Sequence, residues 1–130
     1  MRTELIEYLQ GQNLGAFVLS QELPWSSSGV ALYTKNAKKI YVDKTQYSTD
    51  PLIATLDGLN ITNTIHTVRL YFSNDAKQLP PSYDGLIATL RSAKDASTIT
   101  GVTRREVEVT SEFQEDLLVT ELEYRFTKLT

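Results

Sequence analysis

"RREVEVTSEFQEDLLVTELEYRF", residues 104–126, contains two alternating runs joined by a short acidic turn. Successive side chains of an extended chain point to opposite faces, so alternation with period two marks a strand with one buried side. Val107, Val109, Ser111 and Phe113 share a face of the first run. Leu118, Thr120, Leu122, Tyr124 and Phe126 share a face of the second. The reverse faces carry Glu106, Glu108 and Thr110, then Val119, Glu121, Glu123 and Arg125. One dry side and one wet side are expected where helices cover a single face of an antiparallel sheet. The turn, Gln114-Glu115-Asp116, makes a small acidic tip together with Glu112. Arg104, Arg105 and Arg125 are available as cross-strand partners for the glutamates.

The segments upstream supply the rest of such a fold. "LPPSYDGLIATLRSAKD" (79–95) has helical period, with Tyr83, Leu86, Ile87, Leu90 and Lys94 on one stripe and Pro81 or Ser82 at its start. Gly85 weakens its first turns by about 1 kcal/mol relative to Ala. "NTIHTVRLYFSND" (63–75) reads as a strand whose Val68, Leu70 and Phe72 face the core. Leu5, Tyr8 and Leu9 fall at helical spacing, with Thr3 as a cap and Gly11 as a stop. "GAFVLSQEL" (15–23) is rich in strand formers, and "PWSSSG" (24–29) reads as a loop with Trp25 at its tip. "VALYTKNAKKIYVD" (30–43) reads as two strands around Asn36-Ala37, with Ile40 and Val42 on one face and Tyr41 and Asp43 on the other. In "STDPLIATLDG" (48–58), Asp50-Pro51 suits a helix start, Leu52, Ile53 and Leu56 an apolar stripe, and Gly58 a stop. An extended loop is the alternative there. The expected architecture is α+β: a single domain over 1–130, with a mixed or antiparallel sheet, helices on one face and a long C-terminal hairpin.

Composition removes several classes of function. A chain of 130 residues can bury about two thirds of its unfolded surface in one core. It contains no Cys, which removes disulfides, thiolate catalysis and Cys-ligated zinc. Net charge is -3, and the dense basic spots, Lys38-Lys39 and Arg104-Arg105, are two residues long, so tight nucleic-acid binding is disfavoured. No stretch is long and apolar enough to span a membrane. Glu4 and Glu7 interrupt the N-terminal region where a signal peptide needs an apolar run, so a cytosolic protein is expected.

Candidate chemistry is sparse. His66 is the single histidine, without the partner spacing of a metal site or a serine nucleophile turn, and reads as a sheet residue. "SSSG" (26–29) lacks the Lys and the strand–turn–helix setting of a phosphate loop. Glu106 and Glu108, and Glu121 and Glu123, sit at strand spacing on the solvated face and read as structural pairs. The acidic tip lacks the spacing of a calcium loop. No catalytic residue, cofactor or metal ligand is assigned. The remaining signal is aromatic, because Tyr and Trp are enriched at interface hot spots. Trp25 is either a lid on the core or an anchor into a partner subunit. Tyr41 and Tyr47 read as lying on the outer side of their strand. With Glu121, Glu123 and Arg125 these make the candidate interface set.

The order helix, strands, "HTVRLYFSNDAK" (66–77), helix, then a hairpin ending "LVTELEYRFTKL" (118–129) resembles the tail terminator proteins of long-tailed bacteriophages. The likeness is one of layout, from Leu5 to Leu129. It implies a late virion assembly protein without catalysis or cofactor, built in the host bacterial cytoplasm and placed at the head-proximal end of the tail. Its partners would be further copies of itself in a hexameric ring, the tail tube protein and a neck or head-completion protein. DNA would pass through the ring without tight binding, and no membrane would be involved. The Glu-rich face would then either meet a basic patch on the next subunit or line the channel. The other readings are a neck, head-completion or tail-tube-associated protein and, more remotely, a small-molecule binder or enzyme.

Overall fold

The computed structural model describes residues 1–21, 38–54, 60–77, 79 and 81–129. Its elements are helix α1 (Arg2–Gln10), strands β1 (Val18–Ser20), β2 (Lys39–Val42), β3 (Gln46–Ala54) and β4 (Asn60–Asp75), helix α2 (Tyr83–Ser92) with a following 3-10 turn (Ala93–Asp95), and strands β5 (Arg104–Gln114) and β6 (Leu117–Leu129). The six strands form one sheet in the order β1-β2-β4-β6-β5, with β3 also paired to β4. β1 runs parallel to β2 and the other pairings are antiparallel. The result is an α+β fold with a mixed sheet.

The hairpin expected at 104–126 is present, longer than the quoted stretch, and β4 pairs along nearly the whole of β6. Val68, Leu70 and Phe72 of β4 and Leu122, Tyr124 and Phe126 of β6 are fully buried. They join Ile40 and Val42 of β2, Leu5, Ile6 and Leu9 of α1, and Leu86 and Leu90 of α2 in one core. Both helices therefore lie on the same face of the sheet. Each large apolar side chain sealed there contributes roughly 1.5–3 kcal/mol.

Polar contacts fasten this layer. The Tyr124 hydroxyl donates to the Leu90 carbonyl near the end of α2. The Thr98 hydroxyl donates to the Glu4 carbonyl at 2.7 Å, joining the chain after α2 to α1. The Arg2 guanidinium donates to the carbonyls of Val42 (2.9 Å) and Gln21 (3.1 Å), joining α1 to the β1–β2 edge.

Several expectations are corrected. Thr3 is not the cap of α1; the N-cap is Met1, and Thr3 lies inside the helix. The helix expected from Asp50 is strand through Ala54, with 55–59 outside the described residues. β4 offers a long partner to that segment, and Pro51 sits beside a register shift, where a missing N–H is tolerated. Phe113 is on the core face as expected but is 71% exposed. β5 is the edge strand, and its core contacts stop at Val107 and Val109. Val119 is on the outer face yet buried, as is its cross-strand partner Ser73, so that face is not wet throughout. The strand expected at 30–35 and the loop carrying Trp25 lie outside the described residues.

Arg105 also departs from expectation. It pairs with Phe126 across the hairpin, which puts it on the helix-covered face rather than among the glutamates. There its guanidinium donates to the carbonyls of Lys94 (3.0 Å), Ala96 (3.1 Å) and Ile99 (2.5 Å). These carbonyls lie in the 3-10 turn and the chain after it, and the Ala96 carbonyl also accepts the Ile99 N–H, so the guanidinium ties β5 to the segment that leaves α2.

Candidate functional site

Alternation along four strands places one set of charged side chains on the outer face of the sheet. Arg69 of β4 faces Glu123 of β6, and Glu106 of β5 faces Arg125. Glu108 and Glu123 stand directly opposite each other. Two carboxylates in that position repel unless a cation lies between them, and Arg125 supplies it. Its Nη2 is 3.3 Å from Glu108 and its Nε 3.4 Å from Glu123 and 3.9 Å from Glu106. Arg104 pairs with the same Glu106.

Arg69 continues the ladder toward the other side of the sheet. Its Nε is 3.3 Å from Glu123 and 3.4 Å from Glu121, and its Nη1 donates to Gln46 Oε1 of β3 at 2.6 Å. The pattern runs from β3 through β4 and β6 to β5. Three arginines stand against four glutamates in the ladder, and Asp43 and Glu112 lie on the same side of the sheet, so the face keeps an acidic surplus. Each such exposed pair contributes about 0–1 kcal/mol, so the ladder is a fixed charge pattern more than a source of stability.

Burial and like charge push the Glu121 carboxyl above its ordinary range, with Glu123 and Glu108 adding to the effect of burial and Arg69 opposing it. Tyr71, which pairs with Glu121, is pushed up to about 12 by burial first and then by Glu121 and Asp43. Tyr71 is therefore neutral under ordinary conditions.

Glu121, Glu123 and Arg125 are thus brought together. Tyr41 is on the same face, paired with Tyr71, but it is buried. Tyr47 is elsewhere. It pairs with His66, on the face that carries Val68 and Phe126, and its 66% exposed ring meets the imidazole edge-on at 4.7 Å. The cause is a bulge. From Val42 to Gln46 the chain takes four steps while β4 takes three, from Leu70 to Thr67. One extra residue reverses the side-chain alternation between Tyr41 and Tyr47. Trp25 lies outside the described residues.

Arg69 is the member of the ladder that sequence reasoning did not select. Its signal was present: it alternates with Val68 and Leu70, which marks it for the outer face. Nothing local announces that Gln46, across a bulge, completes the ladder.

His66 is on the opposite side of the sheet from these carboxylates, and burial first, then Lys128, lowers its pKa. Among the described residues no group of three or more His, Cys, Asp or Glu side chains is arranged to hold a metal ion. Among the described residues no helix is long and apolar enough to cross a membrane. No family model matches the chain, and comparison with curated proteins finds no match.

Proposed function

We propose that this protein is a structural subunit of a phage virion that caps the finished tail tube as a six-fold ring, stops tube growth and offers the surface on which the head is joined. The reading rests on the likeness of layout to tail terminator proteins, and the α+β fold, with both helices on one sheet face and a long hairpin, is the architecture that likeness implies. The observation that carries it furthest is the outer sheet face, where the arginines are paired within one subunit in the Arg69–Glu121–Glu123–Arg125–Glu108 ladder.

That pairing favours the channel role for this face over the contact role. A neighbour's basic patch would have to displace Arg69 and Arg125 from carboxylates they already hold. A face with an acidic surplus and its arginines already paired instead lets a polyanion slide past, because among the described residues it offers phosphates no uncommitted cation cluster. The reading assigns the protein no catalysis and no cofactor.

Electron microscopy of assembly products from a virus lacking this gene tests the proposal. Abnormally long tails beside unattached heads are expected, since loss of the stop lets the tube overgrow. Tails of normal length that fail to join heads would move the protein to the neck, and normal virions would end the structural reading.

A further inference from the structure

An exposed aromatic and an apolar cavity sit at opposite edges of the same sheet face. Phe113 of β5 is 71% exposed, and among the described residues no aromatic ring packs against it. Glu112 precedes it but pairs with Val119 and so points to the other face, while Glu115 and Asp116 form the turn just after it, with Lys77 3.7 Å from Asp116, so the tip beside the ring keeps an acidic surplus. The cavity, about 320 Å³, lies between the chain leading into β1 and the first turns of α2. Leu14, Phe17, Tyr83 and Leu86 give it an apolar lining, and Lys38 and Ser82 stand in its wall. The Lys38 ammonium lies over the Phe17 ring, 5.4 Å from its centre. Asp84, in the same turn of α2, is exposed and does not line the cavity.

The two features are level with each other across the sheet. The Phe17 ring packs edge-on against Phe72 at 5.5 Å. Phe72 pairs with Thr120, and Thr120 pairs with Ser111, two residues before Phe113. Among the described residues the sheet order puts β1 at one edge and β5 at the other. At about 4.8 Å per strand spacing the edges are roughly 20 Å apart, so a chain cannot fill its own cavity with its own tip.

From this we infer that Phe113 of one copy seats in the Phe17–Tyr83–Leu86 cavity of the next, with Lys38 meeting the acidic residues around Phe113. The occupant is a second copy because knob and cavity face the same way, lie at opposite edges and carry opposite charge. Such a contact is heterologous: each copy uses two different patches, and repetition closes a ring if the rotation allows it. A buried aromatic anchor with a charged rim is also the usual anatomy of an interface hot spot. The inference deepens the ring reading proposed above and supplies its subunit contact.

The chain has no cysteine, so single cysteines report the contact directly. Ser111→Cys, beside the knob, and Ser82→Cys, at the cavity, are near-isosteric, and Ser82 makes no side-chain cap bond to lose. Purified single variants, mixed at high concentration and oxidised mildly, are expected to give a mixed covalent dimer, and the double variant a ladder of linked copies. Phe113→Asp in the Ser111→Cys chain is expected to lower the yield about tenfold or more. Lys38→Glu should lower it as well, and Glu115→Lys in the partner chain should restore it. Absence of the mixed dimer, a yield indifferent to Phe113→Asp, or equal self-linking by Ser111→Cys alone would overturn the contact. The result is independent of tail length: overgrown tails without the cross-link leave the terminator reading standing and remove this contact, and the converse removes the reading and keeps the contact.

Discussion

The phenolic hydroxyl of Tyr124 donates its hydrogen to the main-chain carbonyl of Leu90, so the middle of β6 is fastened to the end of α2 inside the core. The Leu90 carbonyl also accepts the backbone N–H of Ala93, so it keeps one partner if the hydroxyl is lost. Tyr124→Phe is therefore expected to cost about 1 kcal/mol, at the lower end for a buried hydrogen bond. Thermal denaturation of wild type and variant measures it, and an unchanged Tm would mean that the bond contributes nothing net.

The same burial predicts an alkaline weakness. Tyr124 is held protonated well above its ordinary value because its anion would be desolvated. The unfolded chain releases that proton near pH 10, so above this pH the unfolded state binds fewer protons and stability falls. Below pH 10 the contribution is constant. Above it, the loss is about 1.4 kcal/mol per pH unit for this residue until the folded protein also ionises. Urea denaturation between pH 8 and pH 11 should show the fall, and Tyr124→Phe should make it shallower, with Tyr71 leaving a remainder of the same sign. An equal slope in the variant would locate the alkaline sensitivity elsewhere.

Arg105 joins β5 to the carbonyls of Lys94, Ala96 and Ile99. Arg105→Met keeps much of the apolar stem and removes the donors, with an expected loss of about 2–3 kcal/mol. Arg105→Lys should recover only a minor part, because an ammonium cannot reproduce the planar fork that reaches several acceptors. The midpoint of urea denaturation distinguishes the two. Full rescue by lysine would show that charge matters here and geometry does not.

Glu115 turns the hairpin with φ at 57°, in the left-handed region. A residue with a Cβ is strained there by about 1–2 kcal/mol, and a two-residue hairpin turn with positive φ at its first position ordinarily carries glycine. Glu115→Gly is expected to stabilise by about 0.5–1 kcal/mol once the greater freedom of glycine in the unfolded chain is subtracted. A fall in Tm would mean that the Glu115 side chain makes a compensating contribution.

Reversal of Glu121 and Glu123 to lysine sets two cations beside Arg69 and Arg125. The isolated domain should stay folded, with a loss of about 1–2 kcal/mol from broken exposed pairs and new repulsion. A sheet face with this much positive charge should also retain DNA, and binding to duplex at low salt is the readout. No gain in DNA binding over wild type would show that the face does not present its charge to solution as proposed.

Residues 104–126 carry much of the fold in plain view. Period-two alternation on both runs identifies the hairpin, its dry face and the glutamates of its wet face, because a pleated strand has no other way to sort side chains. Leu86 and Leu90 of α2 are equally legible at helical period. The placement of Tyr47 is not, because its face depends on one extra residue between Val42 and Gln46, a bulge that exists only in the pairing with β4. Strand formation at 50–54 is likewise a consequence of β4 being long enough to pair with it, against a local pattern that suits a helix start.

The candidate surface divides in the same way. That Glu121, Glu123 and Arg125 share a face follows from adjacency along β6, a local fact. That Arg69 and Gln46 complete the ladder, that Arg105 is drawn off it to the end of α2, and that Phe113 is left bare at an edge are all settled by which strand lies beside which. Side-chain alternation is a property of one strand, whereas register, edges and the reach of a guanidinium are properties of the assembled sheet.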